Sequence, residues 1–224
     1  MIGAVIMTHG DDDGLRVPPT IAPHQIIILP IARDDEAAAL VLPAADELAE
    51  KLNNTVAFGN VVRAHVDKRE VNAGEKRWSW IKKGAPIIIE LGPRDLDQGS
   101  VMVTHRTDIY GKAPQQMDDF VATIRDQLEA IQKTLFEEAK AYRDARVRTD
   151  ITDFEAFKAL FAKDDVNTSG FVRAYWCESV ESEASLKELG VTIRCLPYDQ
   201  PSEPGTCVLT GAPATKQAIF AKAY

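Results

Sequence analysis

Gln25-Ile26-Ile27-Ile28-Leu29-Pro30-Ile31 (QIIILPI) is a continuous apolar run dominated by β-branched residues. A strand with one wet face alternates apolar and polar residues. This one does not, so both its faces need cover, as in a sheet sandwiched between helices. Ala85 to Leu91 (APIIIEL) repeats the pattern and is closed by Gly92-Pro93. Between the two runs, Asp34 to Asn54 has apolar positions at helical spacing, with Asp34 or Asp35 as the cap and Asn53-Asn54 at the end. Pro43 inside it is expected to bend or split that helix. Asn60 to Val66 reads as a further strand, and Ser100 to Arg106 (SVMVTHR) alternates and reads as a fourth. Ile/Val-rich strands alternating with helices predict an α/β fold with a mixed β-sheet flanked by helices.

Working outward, Ile2 to Thr8 (IGAVIMT) reads as a short buried strand, followed by a proline-broken passage at Pro18-Pro19 and Pro23. Pro114 to about Val147 is the longest helix signal. Phe120, Ile124, Leu128, Ile131, Leu135 and Ala139 form one apolar stripe, so this is a packing helix. Arg148-Thr149-Asp150 reads as a hinge and Thr152 to Glu155 as a capping box, with Phe154, Phe157, Leu160 and Phe161 facing inward in the helix that follows. From about Asp164 the pattern is strand (Phe171 to Trp176), helix (Ser179 to Leu189, ended by Gly190), strand (Val191 to Leu196) and strand (Ala218 to Tyr224). That is a small α+β C-terminal domain.

The 224 residues carry a formal net charge of -8. The charge is uneven: Thr55 to Lys112 holds ten Lys/Arg against seven Asp/Glu, inside an otherwise acidic chain. A local basic segment suits an anionic ligand, and it equally suits a solvated face. The apolar runs are too short to span a bilayer, and the first residues lack the features of a signal peptide. Three cysteines, an odd number, argue against a disulfide framework and fit a reducing compartment, so the expected location is the cytoplasm with no membrane partner.

Four places carry chemistry. Lys68 to Lys83 (KREVNAGEKRWSWIKK) interleaves six cations with two tryptophans, and Lys76 and Trp78 within it are candidates for holding and stacking single-stranded RNA. The same pattern fits an amphipathic helix with one tryptophan in the core. Gly92-Pro93-Arg94-Asp95 lies just past a strand's carboxyl end, where open α/β sheets bind ligands. Arg94 can contact a base edge or a phosphate and Asp95 can orient it; a turn with a surface ion pair is the plainer reading. Cys177 and Cys207 have no close Cys or His partners, so a four-ligand zinc site cannot be assembled from Cys and His in the C-terminal part. His9 with Asp11, Asp12 and Asp13 (HGDDDGL) can bind a divalent cation through oxygen, yet lacks the spacing of a calcium loop.

Taken together, "IGAVIMTHGDDDGLRVPPTIAPHQIIILPI", "HVDKREVNAGEKRWSWIKKGAPIIIELGPRDL" and the ending "FAKAY" resemble prolyl-tRNA synthetase of the archaeal/eukaryotic type, over effectively the whole chain. The resemblance implies four parts: the end of a class II catalytic domain at 1–19, an anticodon-binding domain at 20–116, a linker helix at 117–150 and a C-terminal domain at 151–224. The class II motifs that supply the ATP site and dimer interface have no match, so the chain reads as a C-terminal piece of that enzyme. His9, Gly10 and Asp11 are then an edge of its ATP and proline site, expected to be structural or partly disordered.

The resemblance also implies roles. Arg94, beside Asp95, matches the position that contacts the two guanines shared by proline anticodons, and Lys112 matches a lysine of the following loop. Ile81 and Ile88 stand where relatives have an acidic residue and an arginine used in anticodon reading. Cys177 and Cys207 match two of four zinc positions; Ser182 and Thr210 stand at the other two, so zinc is expected to be lost and no metal is assigned. Tyr224 matches a tyrosine whose carboxylate reaches toward the catalytic site. The expected partner is tRNA(Pro), not DNA. The full-length enzyme would use ATP and form a homodimer, and this chain alone would be inactive, without cofactor, and a monomer. The alternative is a stand-alone RNA- or protein-interaction module reusing the fold.

Overall fold

The computed structural model of the chain describes residues 2–162 and 170–222. They fall into two compact units, residues 1–139 and 140–224. The first runs through α1 (Ile2–His9), β1 (Ile26–Pro30), α2 (Asp35–Asn53), β2 (Val56–Ala57), β3 (Asn60–Val61), β4 (Ala64–Val66), α3 (Ala73–Lys83), β5 (Ile87–Leu91), α4 (Pro93–Asp97), β6 (Ser100–His105) and β7 (Asp108–Gln116) into α5 (Met117–Asp144). Its sheet has the order β4-β1-β5-β6-β7. β4, β1 and β5 are parallel; β6 and β7 run antiparallel. Parallel neighbours need long crossovers, which α2 and α3 provide.

The apolar run of β1 does what its composition demands. Ile26 and Ile28 pack with Val41, Leu48 and Leu52 of α2 and with Phe120, Ile124, Leu128, Ile131 and Leu135 of α5. Ile27 and Leu29 point the other way, into a second layer with Ile81, Ala85, Ile88 and Ile109. Asp34 caps α2, its carboxylate accepting from the Ala37 amide at 2.8 Å. Asn72 caps α3 in the same way through the Glu75 amide, and Gly84, at φ 79°, ends it in the left-handed conformation.

Several expectations are corrected here. Ile2 to Thr8 is not a buried strand but the helix α1, with no buried residue. A helix satisfies the backbone of this exposed segment internally. Pro43 does not split α2, which is continuous from Asp35 to Asn53. Core packing of Val41 before it and Ala45 and Leu48 after it offsets the lost hydrogen bond. The expected strand Asn60 to Val66 is two pieces: β3 closes a hairpin with β2, and β4 joins the main sheet. The hairpin turns at Phe58 and Gly59, both with positive φ. The long helix starts at Met117 rather than Pro114, because Pro114 to Gln116 pair with β6 as the end of the edge strand β7.

The second unit contains β8 (Val147–Arg148), α6 (Phe154–Phe161), β9 (Phe171–Trp176), α7 (Val180–Glu188), β10 (Val191–Cys195), β11 (Gly205–Thr206), β12 (Pro213–Ala214) and β13 (Lys216–Lys222). The larger sheet has the order β10-β13-β9-β8, over a core that includes Phe157, Phe161, Val172, Leu186 and Phe220. Of the expected hinge Arg148-Thr149-Asp150, Arg148 ends the strand β8, while Thr149 and Asp150 lie outside any strand. The cap of α6 is Asp153, accepting from Ala156, one residue later than the expected Thr152. The boundary near Asp164 and the terminal Tyr224 lie outside the described residues.

Candidate nucleic-acid interface

A crevice of about 400 Å³ opens at the carboxyl ends of the adjacent parallel strands β1 and β5. Ligands of open α/β sheets sit at this place, and the volume suits a nucleobase-sized group. Ile31, Ala37, Pro93 and Met102 supply apolar walls, while Arg33, Arg94 and Lys112 supply positive charge. The three carboxylates beside them are already engaged. Asp34 caps α2. Glu90 pairs with Lys112 at 2.6 Å and with Arg77 at 3.6 Å. The Asp95 carboxylate accepts from the Gly92 amide at 2.8 Å. Among the described residues no carboxylate pairs with Arg33 or Arg94. Two guanidiniums without counter-ions therefore face a partly apolar crevice.

Arg94 and Lys112, eighteen residues apart in the chain, meet here; Asp95 shares the crevice but not the expected role. It fixes the turn that carries Arg94 and does not pair with the guanidinium. Lys76 is elsewhere: it is buried, and its ammonium donates to the Asp67 carbonyl at 3.1 Å, closing the loop into α3. Trp78 is 42% exposed on α3, outside the crevice. The half-buried tryptophan is Trp80, whose Nε1 donates to Asp67 at 2.8 Å. The Arg69 guanidinium, then Trp80, hold the Asp67 carboxyl far below the usual carboxylate range. Ile81 and Ile88 lie together in the layer beneath α3, both inaccessible to a ligand. Sequence reading missed Arg33 and Met102; the signal for Arg33 was its place just past the QIIILPI strand.

The N-terminal segment is anchored rather than loose. Asp11 receives a two-pronged contact from the buried Arg106, 2.9 Å on one side. That contact lowers its pKa despite partial burial. Leu15 and Val17 amides donate to the carbonyls of Lys82 and Gly84. The approach requires Gly14, at φ 129°, where a Cβ would lie 2.6 Å from the Lys82 Cα. Burial, then Arg16, lowers the His9 pKa. Asp11 is thus held by a cation of this unit, and Gly10 closes α1 by donating to the Ile6 carbonyl.

In the second unit, Cys177, Ser182, Cys207 and Thr210 do come together. The Cys177 thiol lies 3.2 Å from the Thr210 hydroxyl. Ser182 is fully buried; its hydroxyl donates toward the carbonyls of Cys177 and Ser179 and accepts from Trp176 Nε1 and the Ser179 amide. Burial opposes ionisation of Cys207, but hydrogen bonds from Thr210 and from the Cys177 and Leu209 amides outweigh it, so its pKa falls below the ordinary thiol value. Two thiols and two neutral, hydrogen-bonded hydroxyls do not fit zinc, which wants four Cys, His or carboxylate donors. No group of three or more such donors lies together among the described residues. No helix among them is long and apolar enough to cross a membrane.

The fold defines the class: an α/β domain with a mixed sheet flanked by helices, followed by a small α+β domain. Residues 25–127 match the family described as the anticodon binding domain, and residues 161–224 match the family described as prolyl-tRNA synthetase, C-terminal. The whole chain is similar to the C-terminal region of proline–tRNA ligases. It is 43% identical over 231 residues to that of Protochlamydia amoebophila, 45% over 224 to that of Paramagnetospirillum magneticum, and 41% over 225 to that of Bdellovibrio bacteriovorus. Each alignment covers 100% of this chain and 45% of the relative, so the chain spans somewhat less than half the length of the curated relatives it matches.

Proposed function

We propose that this chain is the tRNA-binding portion of a proline–tRNA ligase, an enzyme that activates proline with ATP and charges tRNA(Pro). The crevice between β1 and β5 carries the reading: Arg33 and Arg94 face it without counter-ions, beside apolar walls a base can pack on. In this reading Arg94 contacts an anticodon base, Lys112 and Arg33 steer the backbone, and Asp95 is a positioning residue. The archaeal/eukaryotic type is the finer reading, supported by the ordered motifs through "FAKAY"; the relatives compared are bacterial, and organism does not fix type. A cytoplasmic location, a monomeric state for this chain and the absence of bound zinc belong to the same proposal. Arg94→Glu should weaken binding of tRNA(Pro) by about 1–3 kcal/mol while leaving thermal stability unchanged. Unchanged affinity would remove Arg94 from the interface.

The burial of Ile81 and Ile88 in one apolar layer favours a second reading, a module that binds RNA or protein without reading the anticodon. It differs from the first in affinity that ignores anticodon sequence.

A further inference from the structure

The cluster at the carboxyl end of β9 has chemistry of its own. Cys177 follows β9 directly, and Cys207 begins the turn between β11 and β12. The two segments are tied by a backbone hydrogen bond from Val208 to Tyr175, 3.0 Å. The turn is closed from Gly211 to the Cys207 carbonyl, and Cys207 donates to Ala212. Thr210, three residues after Cys207, bridges back to the other segment: its hydroxyl is 3.2 Å from the Cys177 thiol. Cys207 lies in the core of this unit and Cys177 packs against that core. Neither thiol has a metal-competent third donor among the described residues. Exposure separates their roles, since Cys177 is half-buried and Cys207 buried.

We propose that Cys177 and Cys207 form a redox-active dithiol that closes to an intramolecular disulfide on reaction with a hydroperoxide. Cys177, the accessible sulfur, attacks the peroxide oxygen; the O–O bond breaks, and a sulfenic acid and one water form. The Cys207 sulfur then attacks the Cys177 sulfur, the S–O bond breaks, and a second water leaves. Two thiols are oxidised to one disulfide and one hydrogen peroxide is reduced to two waters. The link staples the end of β9 to the β11–β12 turn. Cys195, exposed on β10, takes no part.

The test uses the whole reduced chain with Cys195→Ser as a second variant. It is treated with a slight excess of hydrogen peroxide, trapped with N-ethylmaleimide, and weighed intact. Untreated protein should take three labels, one per cysteine. Oxidised protein should take one, with a 2 Da loss and a tryptic Cys177–Cys207 cross-link. Cys195→Ser should fall from two labels to none and form the same cross-link. Three labels after oxidation, a link through Cys195, sulfinic acid without a link, or stoichiometric zinc on the reduced protein would each overturn the proposal.

Discussion

Asp95 and Arg94 are neighbours with separate work. The Asp95 carboxylate occupies the Gly92 amide and so fixes the turn from which Arg94 reaches the crevice. Asp95→Ala should lower stability by about 0.5–2 kcal/mol in urea unfolding and also weaken tRNA binding, with Asn restoring much of both because its amide oxygen still accepts. Asp67 is tied by Arg69, Trp80 and the Arg69 amide, which depress its pKa; Asp11 is depressed by Arg106. A carboxylate with a depressed folded pKa contributes stability in full above its unfolded value, about 4, and loses it as pH falls toward the folded value. Stability should therefore decline below about pH 4, and Asp67→Asn should flatten that decline while costing about 2 kcal/mol at neutral pH. An Asp67→Asn variant with an unchanged acid limb would mean the group is free in the folded state. His24 acts in the same sense at higher pH: burial, then His65, Arg63 and Lys83, lowers its pKa, so stability is lost as pH falls below the ordinary histidine range.

At the scale of elements, the strands were legible wherever both faces were apolar. QIIILPI and APIIIEL lie side by side as β1 and β5, as their composition required. The stripe on α5 was legible for the same reason: five of its positions are core. What escaped was structure set by partners rather than by local pattern. β7, with Gly111 and Pro114, has few strand-forming residues and exists because β6 offers an unpaired edge. IGAVIMT has the composition of a strand, yet it pairs with no strand among the described residues and forms the exposed helix α1. Pro43 was read from its local cost alone, whereas α2 is held by packing on both sides of it. Pro43→Ala should return one backbone hydrogen bond at an exposed position and stabilise the first unit by about 1–2 kcal/mol after allowing for the freer unfolded chain. A destabilised variant in the same denaturant titration would show that α2 depends on its proline.

Over the whole molecule, sequence reading located the crevice through GPRD and Lys112, but not its composition. Arg33 comes from the loop after β1, and the parallel pairing of β1 with β5 brings it to Arg94. Lys76 failed as a ligand residue because charge pattern does not report burial: its ammonium closes a loop. HGDDDGL, whose histidine and carboxylates suit a divalent cation by composition, is a segment held by Arg106 and by the close approach Gly14 permits. The reactive-looking residues and the positioned ones thus differ, and the central claim rests on the latter. Its most direct measurement is the affinity of this chain for tRNA(Pro), against the same tRNA with the two shared anticodon guanines replaced, at one fixed salt concentration. Anticodon reading predicts binding at least about tenfold weaker for the substituted tRNA. Equal affinity for the two would contradict it.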